Sequence, residues 1–407
     1  MSPVLPFDII ALIIDIVGEN KDTNLKELAL VSHSFLQICR KHIFATIELY
    51  DDVQNHHLVS SKSGFLKLLK SRPNVVNYIR KLTYEVSHID DDDFLLSPIL
   101  SDFLPTISRL NYLAITASRR RRRSWSTLVP SLTSAFLHLM SLPTINHIDL
   151  SYIANFPLSS LTLSVNLLRL DILCLTRIDY SDQYRDDGFL KHVQSETMPN
   201  IREFHTSGSS LLTAKLLDAK RQDGRPAFNV MDLRQLSMSF IHLEDEPNIR
   251  YLLQNAELLE KLHLSVDYGQ SLVGILSTSS RTLKALDMTV SLYHYDVPPL
   301  AGLCEELEAM AMAGHNMLEA LSFEVHVEAH HTGDYIGSVL QKVESILVKP
   351  GWSALRQVSF KLPLKRWGVS TELFEALYCN LQCLPDKYLS HLSKLESVAF
   401  HYSAYFV

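Results

Sequence analysis

The chain has 407 residues, 46% of them hydrophobic, which excludes global disorder and by length alone points to two or three domains unless a repeat array intervenes. Its 38 Lys and Arg against 45 Asp and Glu leave a formal charge of -7, so the concentrated basic face that nucleic-acid binding needs is not expected. Five cysteines, an odd number without disulfide-framework spacing, fit a reduced setting, cytoplasmic and/or nuclear.

The first element is read from "LPFDIIALII". Pro6 suits the first turn of a helix, Asp8 lies near the positive end of its dipole, and Ile9, Ile10, Ile13, Ile14 and Val17 recur at helical spacing up to Gly18, a candidate left-handed cap. The apolar window Ile9 to Val17 is interrupted by Asp15 and is much shorter than the roughly 20 residues of a membrane span. It also lacks a basic lead-in and a cleavage site, so neither a membrane span nor a signal peptide is expected. Asn24 with Glu27 three residues on forms an Asn version of the capping box, opening a second helix with Leu25, Leu28 and Val31 on its apolar face. A third begins near Ser32 and carries Phe35, Leu36, Ile38 and Cys39 towards "KHIF". Three short helices in about 45 residues bury too little surface to be stable alone. Such a block needs a second surface, either the core of the following domain or another protein.

These residues resemble an F-box. Leu5-Pro6, the Ile9/Ile10/Ile13 run, the Val31-Ser32 pair within "LKELALVSHSFLQICR", and Phe44 follow that family's order of Leu-Pro, aliphatic helix, Val-Ser and late aromatic. Phe35 stands where the family has its first tryptophan, and Ile43-Phe44 where it has Leu-Trp. The resemblance covers roughly residues 3 to 50. It implies docking onto a Skp-type adaptor and, through it, a cullin scaffold, with Leu5, Pro6, Ile9, Ile10, Leu28, Val31, Ser32 and Phe35 at the interface.

Residues 51–79 read as a helical connection. From about residue 80 the pattern Leu-x-x-Leu-x-Leu returns as "IRKLTY", "LNYLAI", "INHIDL", "LDILCL", "IREFHT", "LRQLSM", "LEKLHL", "LKALDM", "LEALSF", "LRQVSF" and "LESVAF". Each window alternates as a half-buried strand does, and helix-like apolar stretches such as "NIRYLLQNAELL" separate them. One strand and one helix per unit, iterated, resembles the leucine-rich repeat, in which a unit buries its face only against its neighbours. The windows are spaced by about 24 to 40 residues against the standard 20–29, and Ile153, Ile178, Ile241 and Asp267 stand where an Asn or Cys is usual. The expected fold is therefore α/β: a short N-terminal three-helix F-box (1–50), then an irregular leucine-rich-repeat-like solenoid (80–407) with parallel strands inside and helices outside. An ordinary α/β domain with a parallel sheet is the alternative.

In that arrangement the middle residues of each window face the concave side. They include His147 and Asp149, Ile172 and Cys174, Glu203 and His205, Gln235 and Ser237, Lys261 and His263, Asp287, Ser322 and Glu324, and Gln357 and Ser359. Asp149, His205, His263 and Asp287 are the candidate target-binding residues among them.

Other conspicuous strings suggest less. "RRRRR" at Arg119 to Arg123 cannot be buried unpaired and reads as an exposed loop, or else as a nuclear-import signal, with "DDDD" at Asp90 to Asp93 as a partial counter-charge. "HVEAHH" at His326 to His331 lacks the His-Glu-x-x-His spacing, so no metal is expected. There is no nucleophile elbow, glycine-rich phosphate loop or Cys-x-x-Cys pair, so no cofactor and no catalytic residue are expected either. The resemblance to an F-box with leucine-rich-like repeats implies a substrate-recognition subunit of a Skp/cullin/F-box ubiquitin ligase. The alternative is a non-catalytic repeat scaffold uncoupled from ubiquitin transfer.

Overall fold

In the computed structural model the windows become strands. The structure describes residues 6–19, 25–50, 62–86, 99–118, 123–174, 198–221, 223–240, 245–266, 274–276, 281–291, 302–313, 316–328, 333–365 and 371–407. Contacts divide the chain into two units, residues 1–199 with 219–227, and residues 200–218 with 228–407. The division falls beside residues 176–198, whose sequence contains no Leu-x-x-Leu-x-Leu window.

The first unit begins with three helices, α1 (Phe7–Glu19), α2 (Leu25–Leu28) and α3 (His33–Ile43). Ser32 caps α3, its Oγ accepting the Phe35 N–H at 3.2 Å, as its residue type favours. Gly18 is not a left-handed cap but lies inside α1, where a Cβ would overlap the His42 ring of α3. A strand follows directly, β1 (Thr46–Leu49), then α4 (Lys62–Ser71), β2 (Lys81–Val86) and β3 (Tyr112–Ala117). Next come β4 (Arg123–Ser124), α5 (Pro130–Met140), β5 (His147–Ser151), β6 (Ile153–Ala154) and β7 (Arg169–Leu173). β1, β2, β3, β5 and β7 pair in that order, all parallel, while β4 pairs only with β6. Residues 46–49, grouped with the helices by sequence, are thus part of this sheet.

The second unit contains β8 (Glu203–Ser207), α6 (Ser210–Asp218), β9 (Gln235–Phe240), α7 (Asp245–Asn255), β10 (Lys261–Val266) and β11 (Ala285–Ser291). It continues with α8 (Leu303–Met312), β12 (Ala320–Glu328), α9 (Gly333–Leu347), β13 (Gln357–Lys365), α10 (Thr371–Gln382), α11 (Leu384–Tyr388) and β14 (Ala399–Phe406). β8 to β14 pair each with the next, every pair parallel. Parallel neighbours need long crossovers, and helices occupy most of them.

The packing logic recurs in the rungs from β2 to β13, while the edge strand β14 departs from it, with Phe400 and Tyr402 only half-buried. The first, fourth and sixth window residues are buried, as in Leu259, Leu262 and Leu264 or Leu283, Leu286 and Met288. Each such side chain contributes roughly 1.5–3 kcal/mol by leaving water. Across the sixth place Phe323 stacks on Phe360 with ring centroids 5.1 Å apart, and in the first unit Tyr84 meets Phe136 of α5 edge-on. Two windows shift frame. β7 pairs Asp149 with Asp171 and Leu150 with Ile172, so the rung is "LLRLDI", three residues before "LDILCL". Ile172 is consequently buried and Asp171 takes the facing position assigned to it, because Leu167, Leu170, Leu173 and Leu175 let either frame look apolar. In β14 Val358 pairs with Phe400, moving that window two residues on.

Two buried glutamates are matched by backbone donors. Glu306 of α8 accepts the backbone N–H groups of Gly274 and Leu276, and Glu344 of α9 accepts those of His391 and Leu392 at 2.7 and 3.0 Å. Among the described residues no helix is long and apolar enough to cross a membrane.

Candidate functional site

The three N-terminal helices have one small interior: Ile14, Leu25, Ala29 and Cys39 are buried, with Ile10, Val17, Leu28, Phe35, Leu36, Ile38 and Ile43 packed around them. The α1 residues of this core, Ile10, Ile14 and Val17, form one helical stripe. A second stripe, Ile9, Leu12, Ile13 and Ile16, follows the same i, i+3, i+4, i+7 spacing and points to water, with Leu12 60% exposed. Phe7 on α1 and Leu30 and Val31 after α2 are exposed too, the latter two at 87% and 65%. Exposed large aliphatic residues in this number form the kind of apolar patch that marks interaction sites in other proteins.

The residues expected at the interface divide accordingly. Pro6, Ile9, Val31 and Ser32 are exposed, whereas Ile10, Leu28 and Phe35 are half-buried against the module's own core, and Leu5 lies outside the described residues. Pro6 also starts α1, its carbonyl accepting the N–H groups of Ile9 and Ile10. Sequence reasoning missed Leu12, Ile16, Leu30 and Phe7. The second stripe was there to be read, but the stronger adjacent pairs Ile9-Ile10 and Ile13-Ile14 masked the fact that α1 carries two apolar faces. Asn24 of the expected capping box lies outside the described residues. Asp15 joins α1 to α3, accepting from Lys41 Nζ and from His42 Nε2 at 2.7 Å. Those bonds, His42 foremost, hold its carboxyl below the usual carboxylate value.

A polar network occupies the sheet face of the first unit. Asp149 accepts from Ser151 Oγ at 2.8 Å and from Tyr112 Oη at 3.4 Å, while Asp171 is paired with His147 Nε2 at 2.7 Å and Arg169 Nε at 3.2 Å. Burial, helped by the charge of Asp171, raises the Asp149 carboxyl above its ordinary value against the Ser151 bond. Burial and the two aspartates push the Tyr112 phenol up to about 12. Asp149 thus ties Ser151 and Tyr112 together on this face.

In the second unit the register brings three expected residues into one row, His205 opposite Ser237, Ser237 opposite His263, and His263 opposite Asp287. His205 also lies 3.4 Å from Gln235 Nε2. Of the other strings, Arg119 to Arg122, Asp90 to Asp93 and residues 329–332 lie outside the described residues, and His326 contacts Glu324 at 3.1 Å. Among the described residues no group of three or more His, Cys, Asp or Glu is placed to hold a metal ion.

No protein-family model matches this chain, and no curated protein matches it.

Proposed function

We propose that this chain is a substrate-recognition subunit of a Skp/cullin/F-box ubiquitin ligase, with the sheet domain built as an irregular leucine-rich-repeat solenoid. The observation that carries the reading is the second apolar stripe of α1 together with Leu30 and Val31, which the chain itself leaves uncovered. The adaptor would cover it; burying each of these large side chains contributes roughly 1.5–3 kcal/mol. The sheet faces, with the His205–His263–Asp287 row, would hold the target. The mechanism is then positional: tethering supplies effective concentrations in the millimolar range at target lysines, and no residue of this chain is catalytic.

The test is co-purification with the Skp-type adaptor. Leu12→Asp with Val31→Asp is expected to abolish adaptor recovery while leaving unfolding unchanged, since both residues are exposed. Equal recovery by wild type and variant overturns the reading. If the adaptor is retained but cullin is absent and no bound partner accumulates when the protein is removed, the chain is a scaffold uncoupled from ubiquitin transfer.

A further inference from the structure

The strands of the second unit start from a charged row. Arg234, Glu260, Lys284, Glu319 and Arg356 take the second place of successive windows, and each carbonyl before the last accepts two N–H bonds from the next rung. Their backbones are thus held at the strand spacing of about 4.8 Å. Arg202 takes the same place in the preceding window, and from Arg234 onward the signs alternate. Glu260 Oε1 is shared between Arg234 Nη1 at 3.5 Å and Lys284 Nζ at 3.4 Å. Both distances exceed the roughly 2.7–2.9 Å of a well-made charge-assisted bond, so both cations keep donors to give. Arg281, in the turn entering the Lys284 window, has no acidic partner among the described residues. These four charged residues line a cleft of about 210 Å³ walled by Leu258 and Met317, which are both partly exposed. Three cations face one carboxylate there, beside apolar surface.

We propose that this cleft docks an extended acidic peptide segment, with two carboxylates on alternate residues and an apolar side chain beside them. Alternate residues of an extended chain are about 6.6 Å apart. Arg234 and Lys284 stand two rungs apart, about 10 Å at their backbones, and their long side chains span that difference. A single phosphate dianion suits the site less well, because Glu260 occupies the rung between them where the dianion would centre.

Fluorescence anisotropy on the full chain tests this with three labelled octapeptides: one carrying Glu-x-Glu followed by Leu, its Gln-x-Gln counterpart, and one carrying a single phosphoserine. The Glu peptide is expected to bind, to weaken steeply with salt, and to lose at least tenfold in affinity with Arg281→Glu plus Lys284→Glu. Glu260→Gln is expected to tighten binding by removing the competing carboxylate, a change that damage to the fold would not produce. No binding of the Glu peptide, equal binding of the Gln peptide, indifference to the charge reversal, or binding of the phosphoserine peptide alone overturns the proposal.

Discussion

The N-terminal helices and the sheet rungs bury their apolar residues on different terms. A rung such as Leu283, Leu286 and Met288 is closed by neighbours of the same construction, and all three side chains are buried. The helical module has comparable apolar content in α1 but only one interior, filled by Ile14, Leu25, Ala29 and Cys39, so its second stripe stays outside. Repetition gives an interior rung a wall on each side, whereas a three-helix unit can satisfy one face of each helix. The contrast separates apolar surface that stabilises the fold from apolar surface that stays in water.

The sharpest test is to truncate a leucine in each region. Leu286→Ala is expected to cost about 2–5 kcal/mol in denaturant unfolding, as transfer and cavity terms add. Leu12→Ala is expected to stay within about 0.5 kcal/mol. Equal losses would break the comparison, since they would mean that Leu12 is already covered. Within the module, Gly18→Ala comes next at about 1–3 kcal/mol, because the new methyl must displace the His42 ring from its bond to Asp15. Hydrogen exchange of the α1 and α3 amides reads that loss locally. Ser32→Ala is expected to cost about 1 kcal/mol by the same measurement, the worth of one helix cap.

The smallest effect is a pH dependence. The Asp15 carboxyl lies lower in the fold than in the unfolded chain, so its contribution is fully present above the ordinary carboxylate value and is lost as pH falls through the lower folded one. Acid-side exchange protection of α1 and α3 should therefore decline across that window, and Asp15→Asn should remove the dependence. A variant that declines as the wild type does would show that the Asp15–His42 link does not join the helices.

Much of the fold was legible because backbone geometry imposes short periods on the sequence. Alternation within each window marked the strands, Ser32 marked the start of α3 through its own side chain, and the spaced apolar runs between windows marked the helices. The shared row of His205, His263 and Asp287 followed from that alternation. Other features depended on partners distant in the chain. Only the pairing of Asp149 with Asp171 chose between two apolar frames in β7, and only the position of α3 decided which stripe of α1 is inside. Gly18 reads locally as a helix end, yet it is required by the close approach of His42, twenty-four residues on. The cleft of Arg234, Arg281 and Lys284 draws on separate windows, which become neighbours only when the rungs stack. Local periodicity is a property of one segment's backbone, whereas burial, frame and charge clustering belong to whatever that segment packs against.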